Sequence, residues 1–294
     1  MSIVFEASGL GHRYGKTWAL EDCSFALPEG KVCALVGPNG AGKTTLLHCA
    51  SGLLRPTTGS VSVLGRRPEQ DGELLSRIGF VAQEMPLYRS FTVAEMLELG
   101  KRCNGRWDGD LARERLSRLN IPLDRKTENL SGGQRAQVAL AIALAKLPEL
   151  LLLDEPLASL DPLARRDFLR TLMESVAADG STVVLSSHLV TDLERVCDYL
   201  MILTDGRIRL AGDIESLLAE HKIVTGPRRD HIAGVAEIIE QRGTERQTVA
   251  LVRLEGKIFD PAWDVQDVTL EDLVLAYLGR APSDPERRLE AVNG

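Results

Sequence analysis

One short stretch constrains this chain more than any other. Residues Gly37-Pro38-Asn39-Gly40-Ala41-Gly42-Lys43-Thr44 match the pattern G-x-x-x-x-G-K-S/T, with Thr45 following directly. The apolar run Val32 to Val36 precedes it and a helical pattern, Thr44 to Cys49, follows it. A strand, a glycine-rich loop and a helix in that order make a phosphate cradle. The glycines let backbone N–H groups curl round an anion, and the helix presents its positive end to the same charge. Lys43 is placed to reach the outer phosphates and the Thr44 hydroxyl to ligate Mg²⁺.

Two further segments extend the site. Leu150-Leu151-Leu152-Leu153-Asp154-Glu155 reads as a buried strand delivering two carboxylates to its C-terminal end, where ligands of open α/β sheets bind. Asp154 suits a metal shell, and Glu155 suits a base that orients attacking water. Leu130-Ser131-Gly132-Gly133-Gln134 places a serine and two glycines at a helix start, a second geometry suited to phosphate. Only the first loop carries a lysine. The simplest arrangement has the second completing a site on another copy of the chain.

Around these motifs, strands and helices alternate, which predicts an α/β fold with a mainly parallel sheet covered on both faces. Val61 and Val63, between Gly59 and Gly65, read as a half-exposed strand. Thr92-Val93-Ala94-Glu95 is a capping box. It opens a small helical insertion, residues 91–126, with a second helix near Leu111 to Leu119. Asp161-Pro162 starts a helix with an N-cap and a proline at the first helical position. Strand Thr182 to Ser186 leads to His188 and a helix from Thr191 to Cys197, and Asp205-Gly206 turns a hairpin. After His221, Thr225 to Asp230 has linker composition. Val235 to Ile239, Val249 to Leu254 and the helical Leu270 to Leu278 suggest a small appended α+β unit. The domain reading is 1–221, 222–281, and a disordered tail over 282–294.

At 294 residues, with 44% hydrophobic and 26% charged side chains, the chain has the composition of a globular protein. Its net charge of −7 argues against broad binding to a nucleic-acid backbone. The five scattered cysteines have no metal-ligand spacing and fit reduced thiols. No apolar run approaches the roughly 20 residues that cross a bilayer, and the N-terminus lacks signal-peptide character. If the protein transports anything, another chain supplies the pore.

Taken together and in order, these motifs resemble the ATP-binding subunits of ATP-binding cassette (ABC) transporters over roughly residues 3 to 220. The resemblance implies a P-loop nucleoside-triphosphatase core with an antiparallel β subdomain, the helical insertion and the C-terminal extension. It implies ATP and Mg²⁺ as ligands, with ATP hydrolysis as the activity. Leu130 to Gln134 then corresponds to the family signature, which presses on the γ-phosphate held by the opposing subunit. Tyr14 lies where relatives stack an aromatic on adenine. Gln83 corresponds to the glutamine that touches Mg²⁺ and water and links the site to the insertion. Ser159-Leu160-Asp161 corresponds to a loop crossing the dimer interface, and His188 to the histidine that contacts the γ-phosphate. Ala136, Gln137, Ile142 and Leu157 depart from common family residues, at positions outside the proposed chemistry.

The implied partners are a second cassette subunit, with a homodimer expected, and an integral membrane permease, with no nucleic acid. The implied location is the cytoplasmic face of the cell membrane. The segment Val268 to Leu273 before an apolar helix resembles exporter-type systems of bacteria. The alternative is a soluble cassette ATPase acting on ribosomes or nucleic acid; such relatives usually carry two cassettes or a long coiled coil, and this chain shows one cassette and no heptad tract. His12, His48, His221 and His231 match no motif and read as structural histidines.

Overall fold

The computed structural model describes residues 2–188, 190, 193–229, 232–244 and 247–279. The expected tail over 282–294 lies outside the described residues, as does His231.

The chain opens with long strands β1 (Ile3–Tyr14) and β2 (Thr17–Pro28), followed by β3 (Val32–Val36), helix α1 (Lys43–Ala50) and β4 (Thr58–Val63). Strands β1, β2 and β4 form an antiparallel three-stranded sheet in the order β2-β1-β4, the expected β subdomain. Then come α2 (Gly72–Ser76), β5 (Ile78–Val81), α3 (Val93–Cys103), α4 (Gly109–Arg118), α5 (Gly132–Ala145) and β6 (Leu150–Leu153). They are followed by α6 (Pro162–Asp179), β7 (Thr182–Ser187), β8 (Tyr199–Thr204) and β9 (Arg207–Asp213). The central sheet runs β5-β6-β7-β3-β8-β9, parallel except for β9.

Alternation along these strands explains why both faces are covered. On β3, Val32, Ala34 and Val36 enter one core with α5 and α6. Cys33 and Leu35 enter the other, with α1 and the β subdomain. On β6, Leu151 and Leu153 face the first core while Leu150 and Leu152 face the second. Asp205 and Gly206 both hold positive φ, 50° and 71°, giving the tight hairpin expected between β8 and β9.

Helix α5 belongs to two cores at once. Ala136, Leu140, Ala143 and Leu144 pack on the sheet. Val138, Ala141 and Ala145 pack against Val93 and Leu97 of α3 and Ala112 and Leu116 of α4. The i, i+3, i+4 spacing of each set places them on different sides of one helix. The insertion is therefore anchored through α5, and also by Arg115 of α4, which donates to the Thr171 carbonyl (3.3 Å) and Ser175 Oγ (3.0 Å) of α6. The Thr92 capping box is formed: Glu95 N–H donates to Thr92 Oγ1, and Thr92 N–H to the Glu95 carboxylate.

The C-terminal part consists of α7 (Ile214–Glu220), β10 (His221–Pro227), β11 (Val235–Gly243), β12 (Gln247–Leu254), β13 (Asp264–Asp267) and α8 (Leu270–Gly279). Its strands form an antiparallel sheet in the order β11-β12-β10-β13. Two expectations are corrected here. Thr225 to Pro227 do not form a linker but complete β10, paired with Val249 to Gln247 of β12. Gly226 is required there because Trp263 lies over it, and a Cβ would stand 2.5 Å from the ring. Leu193 to Val196 form successive turns rather than a helix, and Thr191 and Asp192 lie outside the described residues. The apolar spacing of Leu193 and Cys197 serves the core without a helix: Leu193 is buried and Cys197 packs beside it. Helix α8 adds Leu270, Leu273, Val274 and Tyr277 to the same core as α6 and the central sheet, while Val224, Ile232, Ala250, Val252 and Trp263 form a separate core within the C-terminal part.

Candidate functional site

All five residues of β3 are buried, and the chain leaves its C-terminal end at Gly37. A side chain at Gly37 is impossible, since a Cβ would lie 2.2 Å from the Leu203 carbonyl oxygen on β8. The loop closes at Gly42, whose φ of 106° and closeness to the Ala19 carbonyl (2.4 Å for a Cβ) again admit only glycine. Gly42 caps α1 without a side-chain hydrogen bond, so the first-turn N–H groups have no side-chain acceptor. They line, with Asn39, Lys43, Thr44, Thr45, Gln83 and Glu155, a cavity of about 300 Å³. Gly40, Ala41 and Gly42 also contribute to its wall.

Lys43 is buried and its ammonium group is fully committed. It donates to the carbonyls of Gly37 (2.6 Å) and Pro38 (3.1 Å) and lies 3.1 Å from Glu155 Oε1. The other oxygen of Glu155, Oε2, lies 2.7 Å from His188 Nδ1. Glu155 is itself 8% exposed, whereas the His188 side chain is 43% exposed and stands at the rim. A lysine, a glutamate and a histidine brought from three segments thus form one continuous polar chain. Such a chain has the chemistry to hold an anionic oxygen at its lysine end and to take up a proton at its carboxylate.

Asp154 stands just behind, 1% exposed. Its Oδ1 accepts a 2.8 Å hydrogen bond from the hydroxyl of Ser186, and the same hydroxyl accepts the Glu155 N–H at 2.8 Å. Glu155 has a φ of +46°, a left-handed conformation that costs a non-glycine residue about 1 kcal/mol. Sequence reasoning missed Ser186. The available signal was Ser186-Ser187 directly after the apolar run Val183-Val184-Leu185 of a fully buried strand, because a buried hydroxyl there needs a partner.

Hard oxygen donors are available here: the Thr44 hydroxyl and the Gln83 amide line the cavity, and the Asp154 carboxylate is buried next to Glu155 of its wall. That chemistry fits Mg²⁺. Among the described residues no cluster of three His, Cys, Asp or Glu side chains could cage an ion, so such a cation would share its shell with phosphate and water.

The remaining expected site residues lie apart from this cavity. Ser131 caps α5 in a full capping box with Gln134: Gln134 N–H donates to Ser131 Oγ (3.2 Å) and Ser131 N–H to Gln134 Oε1 (3.1 Å). Ser131 is exposed, and Gly132 and Gly133 approach Ser159 and Ala164 rather than the lysine. Tyr14, at the end of β1, is 52% exposed and stacks edge-on with His12 at 4.7 Å, outside the cavity wall. His12 bonds the Arg55 carbonyl, His48 packs on Phe80, and His221 is fully buried between Leu217 and Tyr277, so each of these three has a structural role. All five cysteine thiols are unpaired, and burial pushes Cys49 and Cys197 up to about 12, away from the reactive thiolate form. No helix of the described residues is long and apolar enough to cross a membrane.

Residues 20–158 match the family described as ABC transporter. The phosphonates import ATP-binding protein PhnC of Maricaulis maris is 34% identical over 251 residues, spanning 77% of this chain and 94% of that protein. The Nod factor export ATP-binding protein I of Rhizobium johnstonii is 34% identical over 228 residues, spanning 74% of this chain and 72% of the relative. Among solved structures, a dimeric post-hydrolysis state of an ATP-binding cassette bound to ADP and Pi superposes with a TM-score of 0.63. It is 27% identical and spans 71% of this chain and 98% of that one.

Proposed function

The chain belongs to the ABC transporter family as an ATP-binding subunit that hydrolyses ATP, and from that premise we propose that it drives an exporter through nucleotide-dependent closure of two copies. In this reading each copy supplies its Gly37 to Thr45 loop to one nucleotide and its Ser131 to Gln134 helix start to the nucleotide of the other. Tyr14 stacks on the adenine ring. Thr44, Gln83 and Asp154 hold Mg²⁺, which offsets phosphate charge when bound. An integral membrane permease receives the motion through the Gln83 loop and the helical insertion, keeping the subunit on the inner membrane face.

The observation that carries this reading is the Lys43–Glu155–His188 chain. Phosphate oxygens are better partners for Lys43 than a carboxylate already shared with His188. On exchange, Glu155 is released to orient water in line, and His188 at the rim meets the terminal phosphate. Charge is then stabilised by groups fixed before the reaction begins. Export, rather than import, is supported by the likeness of Val268 to Leu273 and the following helix to exporter-type subunits. The relatives named above include both directions.

Two variants separate the roles. Lys43→Ala is expected to weaken ATP binding. Glu155→Gln is expected to bind ATP normally, to lower hydrolysis at least about a hundredfold, and to accumulate an ATP-dependent dimer on size exclusion. Hydrolysis by Glu155→Gln at the wild-type rate would remove Glu155 as the base. For direction, the native permease co-purified with this subunit and placed in inside-out vesicles is expected to accumulate cargo in the lumen on addition of ATP. ATP-driven loss of preloaded cargo would mark an importer.

A further inference from the structure

We infer that Ser186 is a positioning residue of the hydrolytic site, one hydroxyl that sets both the cation-binding carboxylate and the base. The inference rests on the roles just proposed for Asp154 and Glu155.

The geometry is specific. Ser186 sits near the end of β7, hydrogen-bonded in parallel register beside β6, where Leu153 pairs with Leu185. The two strands therefore end side by side, and Ser186 faces the Asp154-Glu155 step. Its hydroxyl donates to Asp154 Oδ1 and accepts from Glu155 N–H, both at 2.8 Å. Ser186 and Asp154 are each 1% exposed, so water does not compete for either bond.

Each bond does a separate task. A donor on Oδ1 fixes the plane of the Asp154 carboxylate and turns Oδ2 into the oxygen for a cation, as outer-shell donors do for ligating carboxylates. The bond from Glu155 N–H holds the backbone of Glu155 in its left-handed conformation, φ +46°. That conformation directs the side chain to Lys43 and His188 instead of along the strand. Two residues further on, His188 comes off the same strand end and meets the same carboxylate. One strand thus delivers the orienting hydroxyl and the histidine in fixed relation. Alanine at 186 keeps the packing but leaves Asp154 free to rotate and Glu155 without its backbone acceptor.

The test compares Ser186→Ala, Ser186→Thr and Asp154→Asn with the wild-type chain. Mn²⁺ binding in the presence of ATPγS is read by electron paramagnetic resonance, with kcat and KM for ATP measured alongside and the thermal midpoint as a fold control. Ser186→Ala is expected to weaken Mn²⁺ binding and to lower kcat, each about 10- to 100-fold, with KM for ATP within about twofold. Ser186→Thr, which keeps the hydroxyl, is expected to restore both. Asp154→Asn is expected to lose Mn²⁺ binding. Wild-type Mn²⁺ affinity and kcat in a folded Ser186→Ala, with Asp154→Asn impaired, would overturn the role of Ser186 alone. A lowered thermal midpoint in Ser186→Ala with unchanged Mn²⁺ affinity would likewise reduce the residue to a structural one. Unchanged Mn²⁺ binding in Asp154→Asn would instead overturn the reading of Asp154 on which the inference stands.

Discussion

At the scale of residues, a buried polar side chain is held by the partners it meets. His221 is the clearest example away from the active site. Its Nδ1 faces the Leu217 carbonyl at 2.7 Å, so that nitrogen carries the proton, and Nε2 accepts from the Tyr277 hydroxyl at 3.0 Å. Burial pushes its pKa below the ordinary 6.5; the Leu217 carbonyl and nearby Glu220 and Glu237 oppose that shift, while Arg253 adds to it. The unfolded chain therefore binds this proton first as pH falls, and the associated stability is full above about 6.5 and lost below it. Thermal midpoints measured between pH about 7.5 and about 5.5 are expected to fall more steeply for wild type than for His221→Gln. Parallel slopes would contradict this. The phosphate loop, Asp154 and Glu155 were legible in the sequence because their chemistry is carried by adjacent residues. Ser186 was not, since its partners lie 31 and 32 positions away and meet it only when β6 and β7 align.

At the scale of elements, legibility followed local signals. Capping residues Thr92, Ser131 and Asp161 marked three helix starts correctly, because each side chain bonds an N–H within three residues. The segment Thr225 to Pro227 misled for the same reason in reverse. Gly226-Pro227 has turn composition, yet the glycine is there to admit Trp263 from a distant loop, and Pro227 sits at the end of its strand. Gly226→Ala is therefore expected to destabilise the C-terminal sheet by about 1–3 kcal/mol, the usual cost of overpacking. It would appear as faster proteolysis within β10 to β13 at unchanged ATP affinity. Wild-type resistance to protease would show that Trp263 can move aside.

At the scale of the molecule, the two helix starts proposed to meet phosphate stand apart within one chain. Ser131 lies outside the cavity wall that contains Lys43, and its capping box is complete within the chain. A dimer with shared sites predicts complementation. Ser131→Arg and Lys43→Ala are each expected to abolish hydrolysis. Mixed in equal amounts, they form heterodimers with one intact site, and roughly a quarter of the wild-type rate per chain returns if sites act independently. A mixture no more active than its components would argue against a shared site. This level was legible only in part, because an interface between copies leaves no periodicity in one sequence, merely a second motif without its own lysine.

Helix α5 carries the exposed Ser131 at its tip while its opposite sides are sunk in the sheet core and the insertion core. The residue at that tip is therefore seated on a single helix that both cores grip. The chain enters the insertion from β5 through the stretch between Val81 and Thr92, where Met85 sits at φ +45°.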